Sequence, residues 1–450
     1  MKKIFGKLKF LYDYIVNSIG FYPTVISFFF AFLAVVMLYL EALGMSKVIN
    51  AAAPILIIND GSTARLILSS ITTGIISLTV FSFTMVMLVL NQASSNFTPR
   101  VIPGLISYKS NQRVMGLYLG TLIYTLIIMV NMHSDFYAIT LPGFSIFLAM
   151  CFTIICLAFF VYFIHSISTS IQIESILESI YKVTRDKLEE EIEHDKGGHT
   201  RPGDLGENWY PLKSPKTGYL QSVERESLAK LCKKYGVVLC FINPLGSFFI
   251  KGIPFAKVNK ELQLPDEFSE ELSSNLYFYR EERPDINYLF GFKHITESAV
   301  RALSPSLNDP GTAIKAIDYL TDLFILRMQL SDERTVTDDE GTPRVLFMEE
   351  TYEQVLSLCL SPIRLYSKEN SIVVLRLLFL FRSLITKLDE HPHLKQILYK
   401  ELIWLIEDAD RSVVNRADRA KINEHIMSLN DMKHLDKTLP LLQIHAHSSG

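Results

Sequence analysis

The sequence predicts an α-helical membrane domain of four transmembrane helices, followed by a C-terminal cytoplasmic domain that is α+β and then mostly helical. Three observations predict it. Four stretches of about twenty mainly apolar residues are each long enough to cross a hydrocarbon core of about 30 Å. Lysine and arginine gather on alternate sides of those stretches, as the positive-inside rule requires. Beyond about residue 200 the pattern changes to charged, amphipathic segments, first of strand and then of helical period.

The first span, residues 24–43, lies behind Lys2, Lys3, Lys7 and Lys9. It is too long for a removable signal peptide and lacks a small-residue cleavage site, so it reads as an anchor. The second fills the charge-free interval between Arg65 and Arg100. The third covers residues 115–132 and the fourth residues 144–164. Arg100, Lys109 and Arg113 follow the second span, and Lys182, Arg185 and Lys187 follow the fourth. The loop between the third and fourth carries no lysine or arginine, and the first external loop has Lys47, with Arg65 at its edge. Both termini are therefore expected in the cytoplasm.

The fourth span runs on in helical period through Ile173, Ile176, Ile180 and Val183, with no proline before Pro202. A single helix from about 144 to about 194 would be roughly 75 Å long. Its apolar stripe requires a partner, either another copy of the chain or the chain's own cytoplasmic domain. A Gly- and Pro-dense linker follows, then a small α+β module: strand 218–224, a helix ended by Gly236, strand 237–242, a turn at 243–246 and a returning strand 247–258. From about Asp266 onward five helical patterns succeed one another, interrupted by a hairpin on an Asp/Gly turn near Asp338. The domains are thus 1–168 transmembrane, 169–200 stalk, 201–260 α+β module and 261–450 mainly helical.

Two groups of residues carry the functional question in the membrane part. Ser70, Thr73, Ser77 and Thr84 recur at helical spacing and fall on one side of the second span. A polar, uncharged stripe must either pack against other helices or face water, so these residues are pore-lining candidates. At the span's cytoplasmic end Asn91, Gln92, Ser94, Ser95 and Arg100 are candidates for a constriction. The alternative is a polar helix terminus whose arginine meets lipid phosphate.

In the C-terminal part, Arg301, Ser304, Asn308 and Asp309 form a distinctive corner, RALSPSLNDPGTA. Asp309 before Pro310 fits a capped helix start. The corner is read as structural in the first place and as an anion or ligand pocket in the second.

The phrases LNQASSNFTPRVI, MGLYLGTLIYTLI, GYLQSVE and ALSPSLNDPGTA resemble a bacterial family of predicted membrane proteins, the domain of unknown function 2254 family. The resemblance covers nearly the whole chain. It implies four spans, a cytoplasmic C-terminal domain and a bacterial inner membrane, and it implies no activity.

The remaining chemistry is sparse. Cys151, Cys156, Cys232, Cys240 and Cys359 form no C-x-x-C pair and read as small core residues. His391 with His393 and His445 with His447 form H-x-H pairs without carboxylates at ligand spacing, and His194 and His199 sit in the linker, so no metal is expected. No phosphate-binding loop, dinucleotide fingerprint or hydrolase elbow is present, so no cofactor and no enzymatic activity are expected. The net charge of −3 says little, because it averages a membrane half and a soluble half, but no basic run suggests nucleic acid. Glu41 and His165 lie at span ends, so a proton relay at the midplane has nothing to run on. The expected function is a homo-oligomeric inner-membrane channel lined by the second span, with anions favoured over cations by Arg100 and the absence of midplane carboxylates. The alternative is a membrane-anchored sensor or scaffold whose cytoplasmic domain binds a ligand or protein. The expected partners are membrane lipid, other copies of the chain, and a small ion or cytoplasmic ligand.

Overall fold

A computed structural model of the protein describes residues 20–46, 58, 60–96, 109–133, 141–170, 173–194, 208–279 and 282–443. The chain divides between Ser175 and Ile176 into two compact units.

The N-terminal unit is made of α1 (Phe21–Ala42), α2 (Gly61–Asn96), α3 (Lys109–Val130) and α4 (Gly143–Ser170). Each contains a segment long and apolar enough to span a bilayer. The helix α3 is the most enclosed, with 44% of its most apolar window buried against 17% for α2. Its closest approach is to α1, at Gly116 and Gly120. A Cβ added at Gly116 would lie 2.8 Å from the Ile26 side chain, and one added at Gly120 would lie 2.8 Å from the Phe30 ring. Two glycines four residues apart let the backbones approach, and this supplies van der Waals contact where lipid gives no hydrophobic drive.

Glu41, at the end of α1, is buried because it caps α4. Its carboxylate accepts hydrogen bonds from the Ser145 N–H at 2.9 Å, the Ser145 hydroxyl at 3.1 Å and the Ser46 hydroxyl at 2.5 Å. Ser46 in turn accepts from the Phe144 N–H. A negative group at a helix amino end satisfies orphan donors and matches the helix dipole.

The C-terminal unit begins in α5 (Ile173–His194) and continues through β1 (Tyr210–Lys213), β2 (Gly218–Val223), α6 (Arg225–Tyr235), β3 (Leu239–Phe241), β4 (Phe248–Phe249) and β5 (Pro254–Val258). Then come α7 (Pro265–Ser273), β6 (Leu276–Tyr279), α8 (Tyr288–Ala302), α9 (Pro310–Arg327), β7 (Glu333–Thr337) and β8 (Pro343–Met348). The chain closes with α10 (Tyr352–Ser367), α11 (Ser371–Ile385), α12 (Lys395–Ser412) and α13 (Arg416–Asp431). Helix starts follow their sequence signals. Asn287, Asp309, Asn370 and Asn415 accept N-cap hydrogen bonds, and Thr351 with Gln354 makes a capping box. Gly236 ends α6 in the left-handed conformation, at φ 65°.

Among the described residues, eight strands form two sheets, of order β1-β5-β3-β8-β7 and β4-β2-β6. The β7–β8 hairpin joins the larger sheet through a parallel pairing of β8 with β3. Phe241 stacks on Phe347 with ring centroids 5.1 Å apart, and α6 and α7 cover the sheets with Leu228, Leu231, Cys232 and Phe268.

The returning strand expected over 247–258 is two strands. The backbone turns at Gly252 (φ 85°), so β4 pairs in the small sheet and β5 in the large one. The segment read as linker contains β1, an edge strand, where Pro211 does not interrupt a ladder on both sides. The region read as helical from Asp266 onward also holds β6.

The helix α5 buries Ile176, Leu177, Ile180, Thr184, Leu188 and Glu191. Val183, expected in the stripe, is exposed. The chain's own helices cover the stripe. Gly291 of α8 lies so close that an added Cβ would sit 1.7 Å from the Thr184 hydroxyl oxygen. Tyr181 stacks on Tyr319 of α9 at 4.4 Å, and both Tyr181 and Arg185 donate to Asp322 at 2.7 Å.

Candidate functional site

On α2, Ser70, Thr73, Ser77 and Thr84 share one side, as their spacing requires, and all four are exposed within the unit. The buried residues of the same helix, Ala64, Leu68, Ile71, Ile75 and Ser82, lie on the opposite side. The polar stripe thus faces away from the unit's own helices. Thr73, Ser77 and Thr84 donate to the carbonyls of Ser69, Thr73 and Val80, at 3.0, 3.0 and 2.9 Å. A hydroxyl bonded to the carbonyl four residues back is satisfied by its own helix and does not require water.

Asn91 is exposed on the last turns of α2. Gln92, Ser94 and Ser95 belong to the same helix, but their side chains, and Arg100 altogether, lie outside the described residues. His199, His445 and His447 are outside them as well.

The corner between α8 and α9 is a closed hydrogen-bond system. Asn308 holds φ at 44°, a left-handed conformation that asparagine adopts more readily than most residues. The N–H groups of Leu307 and Asn308 donate to the Ser304 carbonyl, and that of Asp309 to the Ala302 carbonyl. Asp309 accepts from the Thr312 N–H at 3.1 Å and the Thr312 hydroxyl at 2.6 Å, which caps α9. Arg301 is half-buried. The backbone groups of the corner and the Asp309 carboxylate are spent on the turn itself.

A different place in the C-terminal unit gathers polar groups around open space. A cleft of about 460 Å³ lies between the end of α5, the β2 strand, the start of α6, the start of α8 and the β7–β8 hairpin. Its charged floor centres on Glu191. That carboxylate accepts from Arg225 Nη2 at 2.7 Å and Arg334 Nη1 at 2.6 Å, and Lys187 Nζ lies 3.0 Å away. Burial opposes charge on Glu191, but Arg225, Arg334 and Lys187 outweigh it and hold its carboxyl down at about 2.

Glu349 stands 3.4 Å from Arg334 Nη1 in the same floor. Here burial prevails over the attraction of Arg334 and Arg225, with Glu191 adding to it, and its carboxyl is pushed above the usual range. Tyr288 also lines the cleft, and its buried hydroxyl makes no hydrogen bond among the described residues. Arg225 lies over the Phe347 ring, 5.7 Å from its centroid. The rim is acidic and wet, with Glu190, Glu224 and Glu226 exposed.

These residues were not among the sequence-derived candidates. Glu191, Arg225 and Arg334 are separated by 34 and 143 positions, and each stands in an ordinary charged stretch. The one available signal was Glu191 itself, a charge placed on the apolar side of an amphipathic helix. Among the described residues, no group of three or more His, Cys, Asp or Glu is arranged to hold a metal ion.

The family model described as "Predicted membrane protein (DUF2254)" matches residues 16–383, and the chain belongs to that family. An uncharacterized protein of Mycobacterium tuberculosis is 24% identical over 370 residues, covering 80% of this chain and 70% of the relative. An uncharacterized protein of Mycobacterium bovis matches to the same extent. No solved structure matches the chain.

Proposed function

We propose that this four-span membrane protein is an anchored sensor, with a C-terminal domain that binds a small ligand and a membrane unit that holds and oligomerises it. It would lie in the bacterial inner membrane with both termini cytoplasmic, as the distribution of lysine and arginine favours. The observation that carries the reading is the cleft. In it, charged groups of three separate elements, on α5, α6 and β7, converge beside open volume, those of α5 and β7 buried and that of α6 half-buried. Concave sites with a few convergent polar groups are the usual form of small-molecule sites.

The test is a thermal-shift screen of the purified full-length chain against a broad set of bacterial metabolites. A ligand at a hundred times its Kd would add about 2.7 kcal/mol to stability. At least one compound should raise the melting temperature of the wild type and leave that of Ser222→Trp, which fills the cleft, unmoved. A set in which nothing shifts the wild type would overturn the reading.

The second reading is conduction through a homo-oligomer, with small anions as the permeant species. One observation favours it: the hydroxyl stripe of α2 points away from the unit's own core. Outward hydroxyls suit contact with further copies, each worth on average about 0.6 kcal/mol in helix association, or a wall shared with water. The internal hydrogen bonds of Thr73, Ser77 and Thr84 place this reading second, since the stripe is stable in lipid without a wet passage. Ser77→Leu together with Thr84→Leu should abolish anion flux in reconstituted vesicles if α2 lines a pore; unchanged flux, or none in the wild type, rejects it.

A further inference from the structure

We infer that the cleft takes a small oxyanion, a carboxylate or monophosphate group, which competes with Glu191 for Arg225 and Arg334 and so loosens α5 from the rest of the unit. The inference deepens the sensor reading by naming the ligand's chemistry and the contact it replaces.

Arg225 and Arg334 converge on one carboxylate, Glu191, and Lys187, 3.0 Å from it, is shared with Glu190 at 2.9 Å. The second acidic group of the floor, Glu349, is the one whose ionisation burial disfavours. Arg225 and Arg334 thus share Glu191 as their nearest carboxylate, and Glu191 already shows what they accept: a two-oxygen anion held by two guanidinium groups. Arginine suits that recognition because its planar fork matches carboxylate and phosphate oxygens. Two further features point to an added ligand. The volume of about 460 Å³ beside the hub exceeds the needs of one side chain. Tyr288, 3% exposed, brings to the same cleft a hydroxyl with no hydrogen-bond partner among the described residues.

The walls restrict the ligand's size and charge. Glu190, Glu224 and Glu226 line the exposed rim and repel polyanions, so polyphosphates and nucleic acid are disfavoured against singly or doubly charged species. Leu245, Ile286 and Phe347 offer apolar surface for the rest of a small organic anion.

The exchange has a defined consequence for α5. Its last turns are tied to α6 and β7 through Glu191, whereas its middle is tied to α8 and α9 through Thr184, Tyr181 and Arg185. An anion seated on Arg225 and Arg334 would free the end of the helix and leave its middle in place. In the chain, α5 follows the fourth span after two residues, so a change in α5 begins next to the membrane segment in sequence.

The experiment is calorimetry and hydrogen exchange on the full-length protein in detergent. The probes are inorganic phosphate and succinate, with ribose and spermidine as neutral and cationic controls at matched ionic strength. Phosphate or succinate should bind saturably, more weakly at higher salt, and should speed exchange at residues 188–194 while leaving residues 176–184 unchanged.

Arg225→Gln should weaken that binding at least about tenfold. Glu191→Gln should strengthen it about tenfold, because the competitor has gone; a hub that is only structural would weaken binding when broken. Glu191→Asp, which keeps the charge but withdraws it by one methylene, should strengthen binding less and serves if Glu191→Gln does not fold. Binding of ribose or spermidine alone would overturn the oxyanion and leave the sensor reading standing. Anion binding unchanged or weakened in both Glu191 variants would overturn the competition. A protein that binds no probe overturns this inference, and the metabolite screen then decides the sensor reading separately.

Discussion

The two units of this protein close hydroxyls in the same way and differ in how far their charged side chains reach. In the N-terminal unit, side-chain hydroxyls turn back onto their own helix: Thr73, Ser77, Thr79, Thr84, Thr125 and Thr153 each donate to the carbonyl four residues earlier. Thr184, Thr296, Ser298, Thr321 and Ser383 of the C-terminal unit do the same. In the C-terminal unit, charged side chains also reach across the fold. Arg364 joins α10 to Glu401 and Asp408 of α12, Arg376 joins α11 to Asp318 of α9, and Glu191 joins α5 to α6 and β7. The difference follows from the surroundings each unit is built for. A helix in hydrocarbon must close its hydrogen bonds before it meets a partner, whereas one in water can exchange solvent contacts for distant ones.

The same contrast governs how helices approach. At Gly116 and Gly120 the neighbours are apolar side chains, Ile26 and Phe30, while at Gly291 the neighbour is the Cβ and hydroxyl of Thr184. This leads to the largest expected effect. Gly291→Ala places a methyl group inside Thr184, and relief requires α5 and α8 to separate. Its cost should be about 3 kcal/mol or more, the upper end for overpacking. Gly120→Ala meets the Phe30 ring at 2.8 Å and should cost about 1 kcal/mol, because a ring can tilt. Thermal unfolding of the full chain in micelles, followed by circular dichroism, ranks the two. Thr184→Gly should partly rescue Gly291→Ala. If Gly120→Ala proves the more damaging, the contact between α5 and α8 is not the tight one.

How much of this was legible beforehand depended on the range of the interaction. The spans were readable because charge-free apolar runs need no distant partner to be recognised, and the four helices fall where hydropathy puts them. The corner at Asp309 was readable because caps and turns are local. The GLYLG spacing of Gly116 and Gly120 was equally local but was passed over as part of an apolar run.

Strand β1 was lost because Pro211 and its Gly-rich flanks imitate a linker, and β4 merged with β5 because the apolar run continues through Gly252. Helix α13 was missed because its sequence, RADRAKINEHIMSLND, is mostly polar; its start is set by Asn415, which caps Ala417 and Asp418. The cleft had no local signature at all. The parallel pairing of β3 with β8 places the hairpin bearing Arg334 and Glu349 in the sheet, and no short-range rule anticipates a pairing across about a hundred residues.

The smallest effect separates the two carboxylates of the cleft by the sign of their pH dependence. Glu191 has its carboxyl depressed from 4.5 to about 2. Its contribution to stability is therefore complete above 4.5 and is lost as pH falls from there toward 2. Glu349 is shifted upward from 4.5, so the folded state resists its ionisation, and stability is given up as pH rises above 4.5. Replacing Glu349 with glutamine removes that loss while keeping an oxygen for Arg334. Melting temperatures of Glu349→Gln and wild type should coincide near pH 4.5 and diverge as pH rises, with the variant the higher at pH 8. A variant that is instead less stable at pH 8 would mean that Arg334 needs Glu349 ionised. Arg225 and Arg334 would then be matched by Glu191 and Glu349, with neither guanidinium left short of a carboxylate for an incoming anion.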